Sequence, residues 1–210
     1  MDNHWPLFGL RLVHRDVVLR PMREQDLPEL AAVLPGDVGH DPRLAMWPSQ
    51  SFAENERRLF RQGYWKAYGT WEPASWVLHF AVSYGGRLAG VQTLEGENFP
   101  ALRTVDTASW LVPEVRGRGV GVAMRAAVLG FAFGSLGAAA AISSAATSNA
   151  ASLGVSRHLG YADNGVSRIV DTTGDVVQLR HFRLTAERWR GAEVTVSGFY
   201  PCRPWFGMTE

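Results

Sequence analysis

Between Trp110 and Arg125 the chain reads Trp-Leu-Val-Pro-Glu-Val-Arg-Gly-Arg-Gly-Val-Gly-Val-Ala-Met-Arg. The order is a strand, a short basic loop, and a helix whose first turn is rich in glycine. From Val115 through Ala162 there is no Asp or Glu, while Arg116, Arg118, Arg125 and Arg157 fall inside the stretch. At the chain's average density a window of that length would hold about four or five acids. A helix N-terminus offers unpaired backbone N–H groups and the positive end of the helix dipole. Glycines let a phosphate approach the backbone and allow positive φ. The stretch is therefore built to receive an anion, and a phosphate-bearing cofactor is the first candidate.

The 210 residues, 46% hydrophobic, suit a single domain over 1–210, with a core of about 16–190 and an extension at each end. Such a chain buries a full core without crosslinks. A formal charge of +1 is no footprint for nucleic acid. Cys202 stands alone, so no internal disulfide forms. The opening Met1-Asp-Asn-His-Trp-Pro lacks the pattern of a signal peptide. The apolar run from Phe131 to Ala146 is interrupted by glycine and serine and does not read as a membrane span. A cytoplasmic location is expected.

Taken in order, Asp16–Pro21 reads as a short strand, and Arg23–Leu34 as a helix with Leu27, Leu30, Ala31 and Leu34 on one face. His40 to Pro48 is a loop. Ser51 and Glu54 form a capping box for a helix to about Tyr68, with Glu54, Glu56, Arg57, Arg58 and Arg61 outward. Trp76–Ser83 and Arg87–Leu94 flank Tyr84-Gly-Gly as a hairpin, and a third strand runs from about Arg103 to Val112. The helix after the glycines buries Val120, Met124, Val128 and Phe131, with Ala127 beside them, and ends at Gly137. Gly130 and Gly134 weaken it, which suggests close packing against a sheet. A small-residue strand, Ala138–Ala146, a helix from Ala150 to Leu159 and a hairpin around Thr172–Asp175 follow. A helical turn, Thr185–Trp189, and a strand within Glu193–Tyr200 lead into the tail. The order predicts an α+β fold with a mostly antiparallel sheet and one parallel pair at the glycine loop.

Two nucleotide loops fail on particular residues. A P-loop needs Lys-Ser/Thr after its glycines, where this chain has Val122-Ala123. A dinucleotide fold needs Gly-x-Gly-x-x-Gly early in a βαβ unit and an acid about 20 residues on, and neither is present. The hexapeptide Arg116-Gly-Arg-Gly119-Val-Gly121 instead matches the acyl-coenzyme A pyrophosphate loop, Arg/Gln-x-x-Gly-x-Gly/Ala. Ser109-Trp-Leu-Val-Pro stands before it, and Leu129 to Gly137, Asn149-Ala-Ala-Ser152 and Leu159-Gly160-Tyr161 beyond it. This ordered set resembles the GNAT superfamily of N-acyltransferases, in particular its RimJ/RimL-like branch. His4-Trp-Pro-Leu-Phe and Arg203-Pro-Trp-Phe-Gly suggest an actinobacterial-type subgroup.

The resemblance implies a GNAT-like sheet with a bulged, splayed central strand and flanking helices. It implies that backbone groups of Trp110, Leu111 and Val112 hold the pantetheine arm. It places Gly117, Gly119, Val120, Gly121 and Val122 around the pyrophosphate, with Arg116 or Arg118 adding charge. Asn149 and Ser152 would meet the cofactor near its thioester. Val122-Ala123 departs from the Thr-Glu pair common in the branch, which removes a hydroxyl worth about 1 kcal/mol. A backbone N–H near Leu111 or Val112 is expected to stabilise the oxyanion. The position where many relatives carry a tyrosine acid is Ser156 here, so Ser156 or Ser152 would act by hydrogen bond or through water, with Tyr161 as an alternative. Asp106 is the preferred general base, beside a water chain, and Glu95 and Glu97 border the substrate loop.

Blander assignments stand beside these. Asn149 and Ser152 suit a helix cap, Ser156 suits packing, and the six histidines suit structural places with no metal-ligand spacing. Trp47, Trp65, Trp71 and Trp76 suit either a core or an aromatic acceptor cleft. The function expected is transfer of an acetyl or succinyl group from acetyl-CoA or succinyl-CoA to a primary amine of a small molecule, peptide or protein N-terminus. The alternative is a non-catalytic acyl-CoA sensor of the same fold. The apolar tails suggest a homodimer or a folded-over lid, and no metal, membrane or nucleic-acid partner is expected.

Overall fold

The computed structural model describes residues 4–38, 44–171 and 174–208. Part of the loop expected from His40 to Pro48 and part of the turn at Thr172–Asp175 lie outside them. The described residues form one nine-stranded sheet. Its strands are β1 (Arg11–His14), β2 (Val17–Pro21), β3 (Trp76–Tyr84), β4 (Arg87–Gly96), β5 (Thr104–Leu111), β6 (Ala140–Ala146), β7 (Ala162–Val170), β8 (Val176–Thr185) and β9 (Thr195–Ser197). Their spatial order is β7-β8-β6-β5-β4-β3-β2-β1-β9. Every pair is antiparallel except β5 and β6. That is the mixed α+β GNAT-like sheet the sequence predicts, with its parallel pair on either side of the glycine loop.

Local signals account for most elements. Gly85 and Gly86, at φ 58° and 79°, supply the left-handed pair that a tight β3–β4 hairpin needs. Ser51 accepts from the Glu54 N–H while Glu54 reaches back to the Ser51 N–H, starting α2 (Phe52–Gly69). The helix expected over 23–34 is broken in two, a 3-10 turn at Glu24–Asp26 and then α1 (Leu27–Ala32). Pro28 has no N–H to continue a helix through it, and Asp26 is pinned by Arg20 at 2.7 Å through both oxygens. A short strand, β1, stands where residues 3–14 show no clear period, and β7 begins at Ala162, well before Ile169.

On one side of the sheet α4 (Val120–Gly134) lies on the main core, burying Val120, Met124, Ala127, Val128 and Phe131 as expected. Gly130 is tight against Val194 of the C-terminal segment rather than against a sheet, and Gly134 meets nothing. On the other side α1 and α2 cover a smaller cluster of Met22, Leu27, Leu30, Tyr64, Ala81 and Val91. Glu56, expected outward on α2, is buried.

The two tails close the core of their own chain. Leu7, Cys202 and Phe206 are fully buried, Trp5 and Trp205 meet edge-on at 4.5 Å, and the Trp71 indole donates to the Trp205 carbonyl. Trp71 and Trp76 belong to this aromatic group, whereas Trp47 and Trp65 are exposed. The apolar residues that suggested a dimer are thus satisfied within one chain.

Candidate active site

The pairing of β5 with β6 stops after Asp106 opposite Ile142, while β5 keeps its partner β4 as far as Leu111 opposite Gly90. A central strand therefore carries an edge with no strand partner from Thr107 to Leu111, where the Thr107 carbonyl accepts from Ser143 Oγ and the Leu111 carbonyl from Arg116 Nε. The β-bulge of this region lies one strand over, where the β3–β4 register shifts at Val82/Ser83. Strand periodicity decides which backbone groups face the opening. Val112 donates its N–H to Ala89 on the β4 side. Residues 106, 108 and 110 share that phase, and residues 107, 109 and 111 point the other way. Of the expected trio, Trp110 and Val112 are thus committed to β4, and Leu111 faces the opening. Ser109, which the sequence reading did not single out, joins it. The Val112 N–H is withdrawn as an oxyanion donor, leaving that of Leu111. Gly90 is indispensable here, because a Cβ would overlap the Trp110 carbonyl.

The strand runs on through a 3-10 turn, Pro113–Val115, into the glycine loop. Gly117 and Gly119 take φ of 75° and 80°, and a Cβ on either would meet open space. Both are free to let a ligand touch backbone. Gly119 is the N-cap of α4 with no capping side chain, and its first turn contains no acid. The orphan N–H groups of a 15-residue helix thus face the cleft unneutralised. A Cβ on Gly121 would come to 3.5 Å from the Val155 side chain, so α4 runs close to α5 (Ala150–His158) there.

The two loop arginines behave differently. Arg116 is bound on both nitrogens by Asp37, at 2.6 and 2.8 Å, and donates Nε–H to the Leu111 carbonyl. It straps the loop to the segment after α1. The Asp37 hydrogen bond raises the Arg116 pKa and holds Asp37 below the usual carboxylate range. Arg118 is exposed and has no partner among the described residues, so it is the guanidinium left for an anion.

Arg116, Gly117, Gly119 and Gly121 line one cleft of about 760 Å³, together with Trp110, Leu111, Val122, Met124, Arg125, Asn149, Ser152, His79, Thr93 and Glu95, while Arg118 stands outside its lining. Val120 turns its side chain into the core. Asn149 caps α5, accepting the Ser152 N–H at 3.0 Å, while the Ser152 side chain is left for the cleft. Ser156 does not reach it. Its side chain is fully buried on the far side of α5, with no hydrogen bond to its hydroxyl, which removes it as an acid. Tyr161 is likewise buried, beside Arg125 and Thr107.

Asp106 lies next door, in a smaller cavity of about 290 Å³ with Ser144, Asn164 and His181. Two carboxylates line the main cleft, Asp37, which is taken up by Arg116, and Glu95, the direct partner of Asp106 across the β4–β5 ladder. Burial, and then the neighbouring Asp106, raise the Glu95 pKa; burial likewise raises that of Asp106, against the Thr107 N–H it accepts at 2.6 Å. His79 is the residue the sequence reading passed over. Its Nδ1 lies 2.9 Å from Thr93 Oγ1, its other edge is against the Gly63 carbonyl, and burial lowers its pKa to about 4. Only the β3–β4 register, which sets His79 opposite Thr93, identifies it as a wall residue. None of the four tryptophans considered for an acceptor cleft lines this one; Trp110, edge-on to Phe60, does.

This cleft combines an unpaired strand edge, a glycine loop with open backbone, a helix N-terminus without a side-chain cap and a partly buried carboxyl. It suits a long ligand with a phosphate end and a reactive end. Comparison with known proteins identifies the family. The model of the acetyltransferase (GNAT) domain matches residues 16–162. In fold, the chain is similar to Mycobacterium smegmatis RimJ in complex with CoA-disulfide, at TM-score 0.72 and 17% identity over 94% of each chain. It is similar to RimL, a ribosomal-protein α-N-acetyltransferase solved with coenzyme A, at TM-score 0.61 and 16% identity over 82% of this chain and 96% of that one. The Vibrio cholerae spermidine N-acetyltransferase in complex with CoA and spermine aligns at TM-score 0.61 and 15% identity, over 82% and 97% of the two chains. The chain belongs to the GNAT acetyltransferase-domain family.

Proposed function

We propose that the protein is an acyl-CoA-dependent N-acyltransferase that transfers an acetyl or succinyl group directly to a primary amine of a small molecule, peptide or protein N-terminus. The observation that carries the proposal is the continuity of the unpaired β5 edge with the uncapped, acid-free start of α4 in one cleft. A pantetheine arm has amide groups that suit the edge at Ser109 and Leu111, and its diphosphate suits the N–H groups from Gly117 to Val122 with Arg118. Loss of the hydroxyl at Val122 leaves a cradle made of backbone and one guanidinium. The amine substrates named for the spermidine and ribosomal-protein enzymes are consistent with the carboxyl-bearing wall.

Glu95 takes the proton the amine must lose, directly or through water, as nitrogen bonds to the thioester carbon. The Leu111 N–H stabilises the carbonyl oxygen that gains charge. As the carbon–sulfur bond breaks, a water held by the Ser152 hydroxyl gives the thiolate its proton and Glu95 returns the proton it took to solvent, so the products are an amide and a free thiol. Asp106 acts at one remove, by adding to the effect of burial in raising the pKa of the Glu95 carboxyl.

Titration calorimetry with CoA tests the cradle. Saturable binding of CoA is expected, weakened by Arg118→Ala, and an absence of heat or of any thermal shift with CoA and acyl-CoA would sink the assignment. A non-catalytic acyl-CoA sensor is the second reading, favoured by the burial of Ser156 and Tyr161 away from the cleft. CoA binding without thiol release on any amine would select it.

A further inference from the structure

The deepest charge in the cleft has no use in the reaction just described. Arg125, on the second turn of α4, is only 3% exposed yet lines the cleft floor where β5 and β6 separate. Its Nη1 lies 3.1 Å from Ser143 Oγ on β6, and its Nη2 lies 3.3 Å from Ser109 Oγ on β5. The guanidinium therefore spans the gap between the splayed strands. No carboxylate comes within ion-pair distance of it among the described residues, and its Nε has no hydrogen-bond partner at all.

A guanidinium removed from water without a counter-charge is disfavoured by several kcal/mol. Two neutral hydroxyls at the long end of the hydrogen-bond range do not balance it. The Tyr161 phenol acts on it first, but burial raises the Tyr161 pKa and keeps that hydroxyl neutral; Asp106 follows, too far away for an ion pair and itself discouraged from ionising by burial. The flanking sequence offers no help, since no acid occurs between Val115 and Ala162. A helix that only needed to fill this space would place an aliphatic side chain here, as it does at Val128 and Leu129 a turn later.

We propose that Arg125 is the specificity residue for the acyl group, and that it selects a donor whose acyl chain ends in a carboxylate, the monothioester of a short dicarboxylic acid. The proposal rests on the acyl-CoA assignment above and chooses, between its two donors, the succinyl type over acetyl. Nε and Nη of a guanidinium form a planar fork that matches a carboxylate on two bonds. A distal carboxylate would satisfy the orphan Nε and neutralise the cation together. An acetyl group, ending in a methyl, would close the cleft over the charge and leave it unpaired. The discrimination therefore has a repulsive half as well as an attractive one.

The test uses two stable thioethers of CoA that differ in one group, S-(3-carboxypropyl)-CoA and its carboxamide, with CoA itself as the reference, by calorimetry. Wild type is expected to bind the carboxylate about tenfold or more tighter than the carboxamide, as one charge-assisted pair provides. In Arg125→Met the two should converge while CoA binding is kept. Should that variant fail to fold, Arg125→Lys, which keeps the charge without the fork, should show a reduced preference. Equal affinities in wild type, or a preference that survives in Arg125→Met, overturn the proposal and leave the CoA assignment standing. Failure of CoA itself to bind wild type overturns both.

Discussion

Glu95 of β4 and Asp106 of β5 are direct partners across the antiparallel ladder, so two partly buried carboxyl groups stand side by side, Glu95 in the wall of the cleft and Asp106 in the smaller cavity beside it. Asp106 raises the cost of ionising Glu95 in addition to the cost imposed by burial, while the Asp106 pKa is raised by burial itself. The acidic limb of kcat/KM should therefore lie above the ordinary glutamate value of 4.5. Asp106→Asn should move that limb to lower pH. Glu95→Gln should lower kcat by about two to three orders of magnitude while keeping CoA affinity. The stability effect has a matching sign. A carboxyl whose folded pKa is raised is a burden above that pKa, so Asp106→Asn should stabilise the protein at neutral pH and not below about pH 4. Denaturant melts at the two pH values check this.

The arginines at 116 and 118 should separate cleanly. Arg116 is occupied by Asp37 on the surface, so Arg116→Ala should change stability by less than about 1 kcal/mol and affect CoA binding only by loosening the loop. Arg118→Ala should weaken CoA about tenfold, as loss of a charge-assisted contact does, and the difference should shrink in high salt. Calorimetry at two ionic strengths measures both.

Two serines one turn apart on α5 should also part company. Ser156 has a buried hydroxyl with no partner, so Ser156→Ala should leave turnover unchanged and stabilise the fold slightly, by about 1 kcal/mol. Ser152 faces the cleft, and Ser152→Ala should lower kcat several-fold with little change in KM. Steady-state kinetics and thermal melts of the pair decide this.

His79 predicts acid sensitivity. Its pKa falls to about 4 in the fold against 6.5 for a free imidazole, so the native state disfavours protonation. The stability it contributes is complete above about pH 6.5 and is lost as pH falls toward 4, on the order of 2–3 kcal/mol in all. In His79→Gln that part of the acid slope should disappear, as read from denaturant midpoints between pH 4 and 7.

What could be read from the sequence was local. The capping box at Ser51 and Glu54, the paired glycines after Tyr84, and the Arg116-to-Gly121 loop each depend on neighbours a few positions away, and each stands where expected. What failed depends on partners far along the chain. Arg116 reads as a phosphate ligand until Asp37, 79 positions earlier, is found on it. Val112 reads as a free donor until the phase of β5 commits its N–H to Ala89. Ser156 stands where many relatives carry a tyrosine acid, yet a short side chain on the inner face of α5 stays buried and its hydroxyl does not reach the cleft. Arg125 stood in full view inside an acid-free stretch; only its burial between two strands distinguishes it from a surface arginine.

The central claim is amine-dependent acyl transfer, and release of free thiol measures it most directly. Wild type with acetyl-CoA or succinyl-CoA and a panel of primary amines and N-terminal peptides should release thiol only when an amine is added. Mass spectrometry should find the matching amide, and Glu95→Gln should bind CoA but release little. Tight CoA binding with no amine-dependent thiol from any acceptor would contradict the account.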